Sequence, residues 1–332
     1  MIAVRPFAGT PGSPAAISLV ELPDPAPGPG EVAIAVAASA LNRADLLQMR
    51  GLYPPPPGES TVPGLECAGT IAEVGEGVSA WKRGDRVMAL LAGGGHSTRV
   101  VAPEGQLMAV PPGRSMAEAA ALPEVAITAW TNLVYEGRLH AGQTVLITGA
   151  ASGVGCFAVP LAKALGARVV VAGRDRARLE RLRPLGADFA VELGDGFAER
   201  VRAEVEGGVD LVLDLVGGEH LDRALGALRD RGTLVLVGVL AGASAPVDLG
   251  QILRRRLRIV GSVLRARSRA EKAGLVTSFA ELAAERWATG ELPSSIDRTF
   301  PFERVADAYA AMATGGHLGK LVLEMNAGSG GG

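Results

Sequence analysis

The heptapeptide Gly64-Leu-Glu-Cys-Ala-Gly-Thr70 sets a carboxylate, Glu66, beside a thiol, Cys67. Together they could supply two ligands to a metal ion, but a catalytic zinc normally takes three from protein. The chain has one further cysteine, Cys156, and four histidines, His96, His140, His220 and His317, in no ligand-like spacing. No metal is therefore expected. Cys67 reads as a small packing residue and Glu66 as an acceptor that holds its loop.

A second stretch points to anion binding. Thr148-Gly-Ala-Ala-Ser-Gly-Val-Gly155 follows an apolar strand-like run and opens a helical one, Cys156 to Leu165. Small residues in such a turn let the backbone approach a pyrophosphate, and the amides of the helix N-terminus supply partial positive charge. Gly149, Ser152, Gly153 and Gly155 take a variant of the usual glycine spacing, and Pro160 should kink the helix or remove one of its hydrogen bonds. About twenty residues on, the next strand ends in Val171-Ala-Gly-Arg-Asp175. NAD sites usually offer an acid here. Gly173 instead leaves room for a 2′-phosphate that Arg174 and Arg178 could pair with, which favours NADPH. Asp175 stays open as the acid displaced by two residues or as a helix cap.

These residues need a scaffold, and its pattern changes along the chain. The first 120 or so residues carry many Pro and Gly and short alternating runs such as Glu31-Val-Ala-Ile-Ala-Val36, a mainly β domain. From Gln143, six nearly continuous apolar runs alternate with helical segments, the signature of a parallel sheet covered on both faces. After Arg265 come a helix over residues 270 to 289, another near Val305 to Met312 and a last strand, Leu321-Val-Leu-Glu-Met325, which should return to the first domain. The tail after it, from about residue 327, reads as disordered.

With 332 residues, 48% of them hydrophobic, the chain is long enough for two domains and a sizeable core. Its formal net charge of −2 argues against nucleic-acid or membrane partners. No apolar run approaches a membrane span and no secretory leader opens the chain, so a cytoplasmic protein is expected. Arg254-Arg-Arg-Leu-Arg258 reads as a solvated face, and Gly93-Gly-Gly-His96 as a surface turn rather than a lid carrying a proton source.

The chain resembles the medium-chain dehydrogenase/reductase superfamily over essentially its whole length, and within it the zinc-free quinone oxidoreductases. The resemblance rests on Leu41-Asn-Arg-Ala-Asp-Leu46, Gly51-Leu-Tyr-Pro-Pro-Pro56, Val62 to Gly69, Ala89 to Gly95, Ala119-Ala-Ala-Leu-Pro-Glu124, Ala150 to Gly155 and Gly319-Lys-Leu-Val-Leu323. It implies a GroES-like, mainly β domain in residues 1–121, a Rossmann domain with a parallel six-stranded sheet in 122–265, and a return to the first domain in 266–332. It also implies a homodimer formed through the edges of the Rossmann sheets.

By the same resemblance, Tyr53 and Asn42 lie at the reacting centre. Ser152, Gly153, Val154 and Gly155 hold the pyrophosphate. Thr128, Gly238, Val239, Leu240, Ser262, Val263 and Leu264 approach the nicotinamide half, joined by Tyr53, and Gly173 and Arg178 face the 2′-phosphate. Leu193 departs from the family, which commonly places a hydrogen-bonding ring there. In zinc-dependent relatives a histidine stands at the position of Leu65 and a cysteine at that of Asn42. From the residues alone, Tyr53 could instead pack on the prolines that follow it, and Asn42 could close a local turn.

The expected activity is transfer of reducing equivalents from NADPH to a quinone. Reduction of a conjugated C=C bond in an enone or enoyl substrate is the alternative. A non-catalytic NADPH-binding regulator or RNA-binding protein is a third reading.

Overall fold

In the first half of the chain, glycines decide how closely strands can lie. The computed structural model describes residues 1–13 and 16–325, so the tail expected to be disordered lies outside the described residues. Strand β1 (Ile2–Val4) pairs antiparallel with β2 (Leu19–Glu21). The long β3 (Glu31–Ala40) is followed by α1 (Arg43–Gln48), β4 (Glu66–Val74), β5 (Arg86–Leu90), β6 (Arg99–Pro103) and β7 (Leu107–Ala109). β3 pairs antiparallel with both β4 and β6, and its pairing with β4 shifts register twice. At Gly69 in β4 a β-carbon would stand 2.1 Å from the Ala35 carbonyl oxygen. At Gly64, where φ is +106°, it would stand 2.3 Å from the His96 amide nitrogen. The two glycines that bracket Glu66 and Cys67 are thus demanded by close backbone approach.

Two short helices, α2 (Met116–Ala120) and α3 (Pro123–Trp130), come next, α3 running on into a π-helical turn over Thr131–Glu136. Then the period changes. Strands β8 (Thr144–Thr148), β9 (Arg168–Gly173), β10 (Phe189–Glu192), β11 (Val209–Asp214), β12 (Leu228–Leu236) and β13 (Arg258–Gly261) alternate with α4 (Gly153–Ala164), α5 (Arg176–Glu180), α6 (Phe197–Glu204), α7 (Leu221–Ala227) and α8 (Leu249–Arg255). They form a parallel sheet in the order β10-β9-β8-β11-β12-β13. This is the expected doubly wound architecture, its strands apolar because helices cover both faces. Helix α4 continues through Pro160, which is buried.

Finally α9 (Arg269–Ala288), β14 (Ile296–Pro301), α10 (Val305–Thr314) and β15 (Lys320–Glu324) complete the fold. β15 pairs with β3, Val322 opposite Ala40, so the last strand joins the first sheet, whose order is β14-β15-β3-β4-β5-β7.

Contacts divide the chain into two units. Unit 1 holds Met1–Ile127, Leu264–Gly290 and the segment from Ser294; unit 2 holds Thr128–Val263 and Glu291–Pro293. Each has its own core. Ile34, Leu41, Ile71, Leu321 and Tyr309 are among the buried side chains of unit 1, and Leu146, Val170, Phe197, Val212 and Leu234 among those of unit 2.

Candidate active site

Unit 2 presents a nucleotide-binding edge made mostly of backbone. The turn after β8 is tightened by Gly149, at φ +62°, and ends at Ser152, which caps α4 by accepting a hydrogen bond from the Gly155 amide through Oγ, 3.2 Å. A β-carbon at Gly155 would fall 2.4 to 2.6 Å from Ala150 backbone atoms, so the helix can begin against the turn only with glycine there. Among the described residues, no protein acceptor meets the amides of Gly153 and Val154. They belong to the first turn of a helix, whose N–H groups have no intrahelical partner. This is the cradle an anionic pyrophosphate needs.

The turn is pinned from below by a residue that sequence reasoning missed. Buried Asp214, at the end of β11, accepts from Thr148 Oγ1 at 2.6 Å and from the amides of Val216 and Gly217 at 3.0 and 3.1 Å. It ties the ends of β8 and β11 together, and its signal was an acid closing the apolar run Leu211-Val-Leu213.

At the end of β9, Gly173 is followed by Arg174, exposed and without a partner among the described residues. Asp175 caps α5 by accepting from the Arg178 amide at 3.2 Å, so its carboxylate is engaged locally. Arg178 is half-buried. Leu193, whose amide donates to the Gly173 carbonyl at 2.8 Å, lines an open cavity of about 420 Å³ with Arg176, Glu192, Arg200 and Glu204. Gly238 follows β12, and a β-carbon on it would stand 2.6 Å from the Leu215 carbonyl oxygen. Val239, Leu240 and Val263 are about half exposed, and the Ser262 amide donates to Leu236 at 3.0 Å. The residues named for the cofactor thus gather at or just beyond the carboxyl ends of β8, β9, β12 and β13, with three exceptions, one of them Tyr53 of unit 1. Thr128 is buried in α3, its carbonyl accepting from Asn132, and Leu264 belongs to unit 1.

Unit 1 holds a cluster built from side chains. Lys320, the first residue of β15, is almost fully buried. Its ammonium meets Glu66 Oε1 at 2.6 Å and donates to Asn42 Oδ1 and the Leu41 carbonyl, each at 2.7 Å. Asn42 Nδ2 donates to Glu66 Oε1 at 2.9 Å, and the Glu124 amide to Glu66 Oε2 at 2.9 Å. Both oxygens of Glu66 therefore accept, and all three ammonium protons have acceptors, as a buried charge pair requires. The Asn42 side chain thus bonds across the cluster as well as locally, Nδ2 also donating to the Ala40 carbonyl at 3.4 Å. Its helix α1 is capped by Asp45, which accepts from the Asn42 amide at 2.7 Å and from the Gly64 amide at 3.0 Å.

Asp45 is also buried. Burial opposes its charge, yet the facing His96 and the two amides hold its carboxyl below the usual range. His96 Nε2 lies 3.4 Å from Asp45 Oδ2, and Nδ1 lies 2.8 Å from Ser39 Oγ. This corrects the reading of His96 as a surface turn, because its side chain is wholly buried. The triple glycine before it permits the inward course, Gly95 approaching Gly64 and Glu66 backbone.

Tyr53 is half-buried, and the guanidinium of Arg265 lies 5.2 Å from its ring centroid. Arg265 donates to the carbonyls of Ala92 and Tyr53 and to Gln48 Oε1, at 2.8, 3.0 and 2.7 Å. Burial and then Glu124 push the Tyr53 phenol up, against the pull of Arg265. Glu124 itself, in the first turn of α3, is pushed up to about 8, first by burial and then by Glu66. Burial drives the Cys67 thiol well above its ordinary range. Among the described residues no three His, Cys, Asp or Glu side chains form a metal cluster, and no helix is long and apolar enough to cross a membrane. The basic run near α8 has carboxylate neighbours, Arg254 with Asp248 and Arg255 with Asp230, at 3.4 and 3.3 Å.

Glu124, Lys320 and Arg265 carry the electrostatics of this cluster, and the sequence marked two of them faintly. Lys320 is a charge opening an apolar strand, and Glu124 follows a proline at a helix start.

Comparison with known proteins matches residues 28–128 to the family described as alcohol dehydrogenase GroES-like domain and residues 153–280 to that described as zinc-binding dehydrogenase. The chain is 31% identical over 301 residues to the human synaptic vesicle membrane protein VAT-1 homolog, covering 86% of this chain and 77% of that protein. Some curated relatives are far longer, and the chain spans as little as 8% of their length. The quinone oxidoreductase of Thermus thermophilus, solved also with NADPH, is 33% identical with a TM-score of 0.81, over 98% of this chain and 100% of that one. The CurK enoyl reductase is 29% identical with a TM-score of 0.84, over 97% and 99%.

Proposed function

Because the chain belongs to the medium-chain dehydrogenase/reductase superfamily, in its zinc-free quinone oxidoreductase branch, and is therefore an oxidoreductase, we propose that it reduces quinones at the expense of NADPH without a metal. The observation that carries this reading is the fully committed ammonium of Lys320. A cation whose three protons are already donated cannot polarise an incoming carbonyl as a Lewis acid would. An acceptor already electron-poor, as a quinone or an enone is, suits such a site.

Ser152, Gly153, Val154 and Gly155 would hold the pyrophosphate, and Gly173, Arg174 and Arg178 the 2′-phosphate. Thr128, Gly238, Val239, Leu240, Ser262, Val263, Leu264 and Tyr53 would surround the nicotinamide half. When bound, NADPH supplies the hydride. Tyr53, its phenol kept protonated at neutral pH, donates a hydrogen bond to the acceptor oxygen as charge grows there. Arg265 fixes the Tyr53 backbone and ring, while Asn42 holds Glu66 in place. We further propose a homodimer through β13, the terminal strand of the sheet, where Ile259 is exposed.

Steady-state NADPH oxidation with a panel of ortho- and para-quinones tests the activity, and no turnover above the uncatalysed rate with any of them would sink it. NADPH should be preferred to NADH by about tenfold or more, since hydrogen bonds to a charged group contribute roughly 1.5–3 kcal/mol. The Arg174→Ala variant should lose most of that preference. Equal efficiency with both cofactors in the wild type would overturn the roles of Gly173, Arg174 and Arg178.

The likeness to CurK enoyl reductase favours one second reading, reduction of a conjugated C=C bond. Product analysis separates the two, because a saturated ketone and a hydroquinone differ in which bond was reduced.

A further inference from the structure

We propose that Lys272 is a positioning residue for Tyr53, setting the course of the proline-rich loop that carries it by way of Arg265; the catalytic use of that role rests on the reductase reading above. The loop is stiff in the middle and jointed by glycine at both ends. Pro54 to Pro57 fix φ at four successive residues, and they stand between Gly51 and Gly58, at φ +67° and +85°. A β-carbon on Gly58 would meet nothing within 4 Å, so that joint is not wedged in place by its neighbours. The loop makes few bonds of its own, among them the Glu59 amide to the Pro56 carbonyl at 3.1 Å.

The constraint comes instead from residues 265 to 272, all within unit 1. Buried Arg265 donates to the Tyr53 carbonyl at 3.0 Å and to Gln48 Oε1 at 2.7 Å. Gln48 Nε2 in turn donates to the Thr61 carbonyl at 2.9 Å. One guanidinium therefore fastens the chain on both sides of the loop. Four residues later, Arg269 meets Glu59 Oε1 at 3.6 Å and Glu31 Oε1 at 2.7 Å. The loop is pinned at Tyr53, Glu59 and Thr61 by side chains at the start of α9.

Lys272 supports this clamp. It is buried, and its ammonium donates to the Arg265 carbonyl at 3.3 Å. It follows directly on the capping box of Ser268 and Glu271, which fixes where α9 begins. A cation so near a helix N-terminus is opposed by the helix dipole. Burial opposes it too, drawing its pKa down against Glu59 and then Glu124. What the charge gains in return is a bond to the backbone of the residue whose guanidinium holds Tyr53. A lysine stem can also serve as packing. Methionine separates the two roles, because it keeps the stem and loses the ammonium.

Lys272→Met and Lys272→Arg therefore rank in opposite orders under the two roles. If the ammonium positions Tyr53, kcat/KM for a para-quinone should fall about tenfold or more in Lys272→Met, as a lost hydrogen bond from a charged group implies. Lys272→Arg should recover most of that loss. KM for NADPH should change far less in both, because the residues assigned to its phosphates belong to unit 2. If the stem only packs, Lys272→Met should match the wild type and the bulkier Lys272→Arg should be the worse of the two.

Hydrogen exchange followed by nuclear magnetic resonance reads the loop without cofactor or turnover. The amides of Leu52 and Glu59, bonded to the carbonyls of Leu47 and Pro56, should share one protection factor in the wild type, because the clamp opens both ends together. Both should exchange about tenfold faster in Lys272→Met, while the Ile71 amide, bonded to the Asp85 carbonyl, should not change. Turnover and exchange like those of the wild type in Lys272→Met overturn the proposal, as does Lys272→Arg falling below Lys272→Met. Unequal protection of Leu52 and Glu59 in the wild type overturns it even where Lys272→Met fails to fold. A wild type that reduces no quinone or enone overturns the reductase reading instead, and the exchange rates alone then decide whether Lys272 sets the loop.

Discussion

The nucleotide edge of unit 2 and the polar cluster of unit 1 are built by opposite means. The edge is backbone: glycines that admit close approach, two amides without protein acceptors and a capping serine, all within residues 148 to 155. The cluster is mostly side chain: Asn42 and Asp45 at the start of α1, Glu66, Glu124 and Lys320 are drawn from four elements and tied by bonds spanning up to 278 residues. A local device tolerates changes elsewhere in the chain but no β-carbon at its tightest point. A long-range device tolerates local backbone change but no loss of a charge. Each therefore has its own characteristic way of failing.

The cluster should fail hardest. Lys320→Met removes the only cation bonded to buried Glu66 among the described residues, and breaking a buried pair costs about 3–5 kcal/mol. Urea unfolding should show a loss of that size. Glu66→Gln in the same chain should recover part of it, because the uncompensated charge is then gone. NADPH affinity of folded Lys320→Met should stay close to that of the wild type. A loss below about 1 kcal/mol would mean that Glu66 does not depend on the ammonium, and the contrast between the two regions would collapse.

The edge should fail next. Gly155→Ala puts a methyl within 2.4 Å of the Ala150 carbonyl oxygen, and overpacking against atoms that cannot give costs about 1–3 kcal/mol. Because the displaced atoms are the cradle itself, the cost should appear as weaker NADPH binding, roughly 10-fold to 100-fold. Calorimetry would measure it, with far-ultraviolet circular dichroism as the control for folding. Unchanged affinity would mean that the Gly155 approach serves packing alone.

What could be read from the sequence divides along the same line. The parallel sheet was legible because its inner strands β8, β9 and β11, buried on both faces, are nearly continuous apolar runs. The phosphate loop was legible because its chemistry is local. Asn42 and Tyr53 entered only through resemblance. Lys320 and Glu124 were not legible as partners, since no pattern along the chain says that a lysine opening the last strand will meet a glutamate some 250 positions earlier. His96 was misread for a related reason. Its glycine-rich approach looks like an exposed turn, and only the fold reveals that Gly64 and Gly95 make room for that turn to run inward.

The smallest effect concerns a polar atom left over beside the cluster. Tyr309, on α10, is buried with its ring 5.9 Å from that of His96 in an edge arrangement. Its hydroxyl has no hydrogen-bond partner among the described residues, and burial and then the Asp45 charge drive its pKa well up. A buried hydroxyl without a partner costs about 1–3 kcal/mol of lost solvation. Tyr309→Phe keeps the ring contact and removes that cost, at the expense of a small void. The expected result is a gain of about 1 kcal/mol, seen as a higher urea midpoint with unchanged slope. A loss of similar size would mean that water satisfies the hydroxyl. The side-chain network would then extend from Lys320 through Asp45 and His96 to α10, and its contrast with the backbone-built edge would be sharper still.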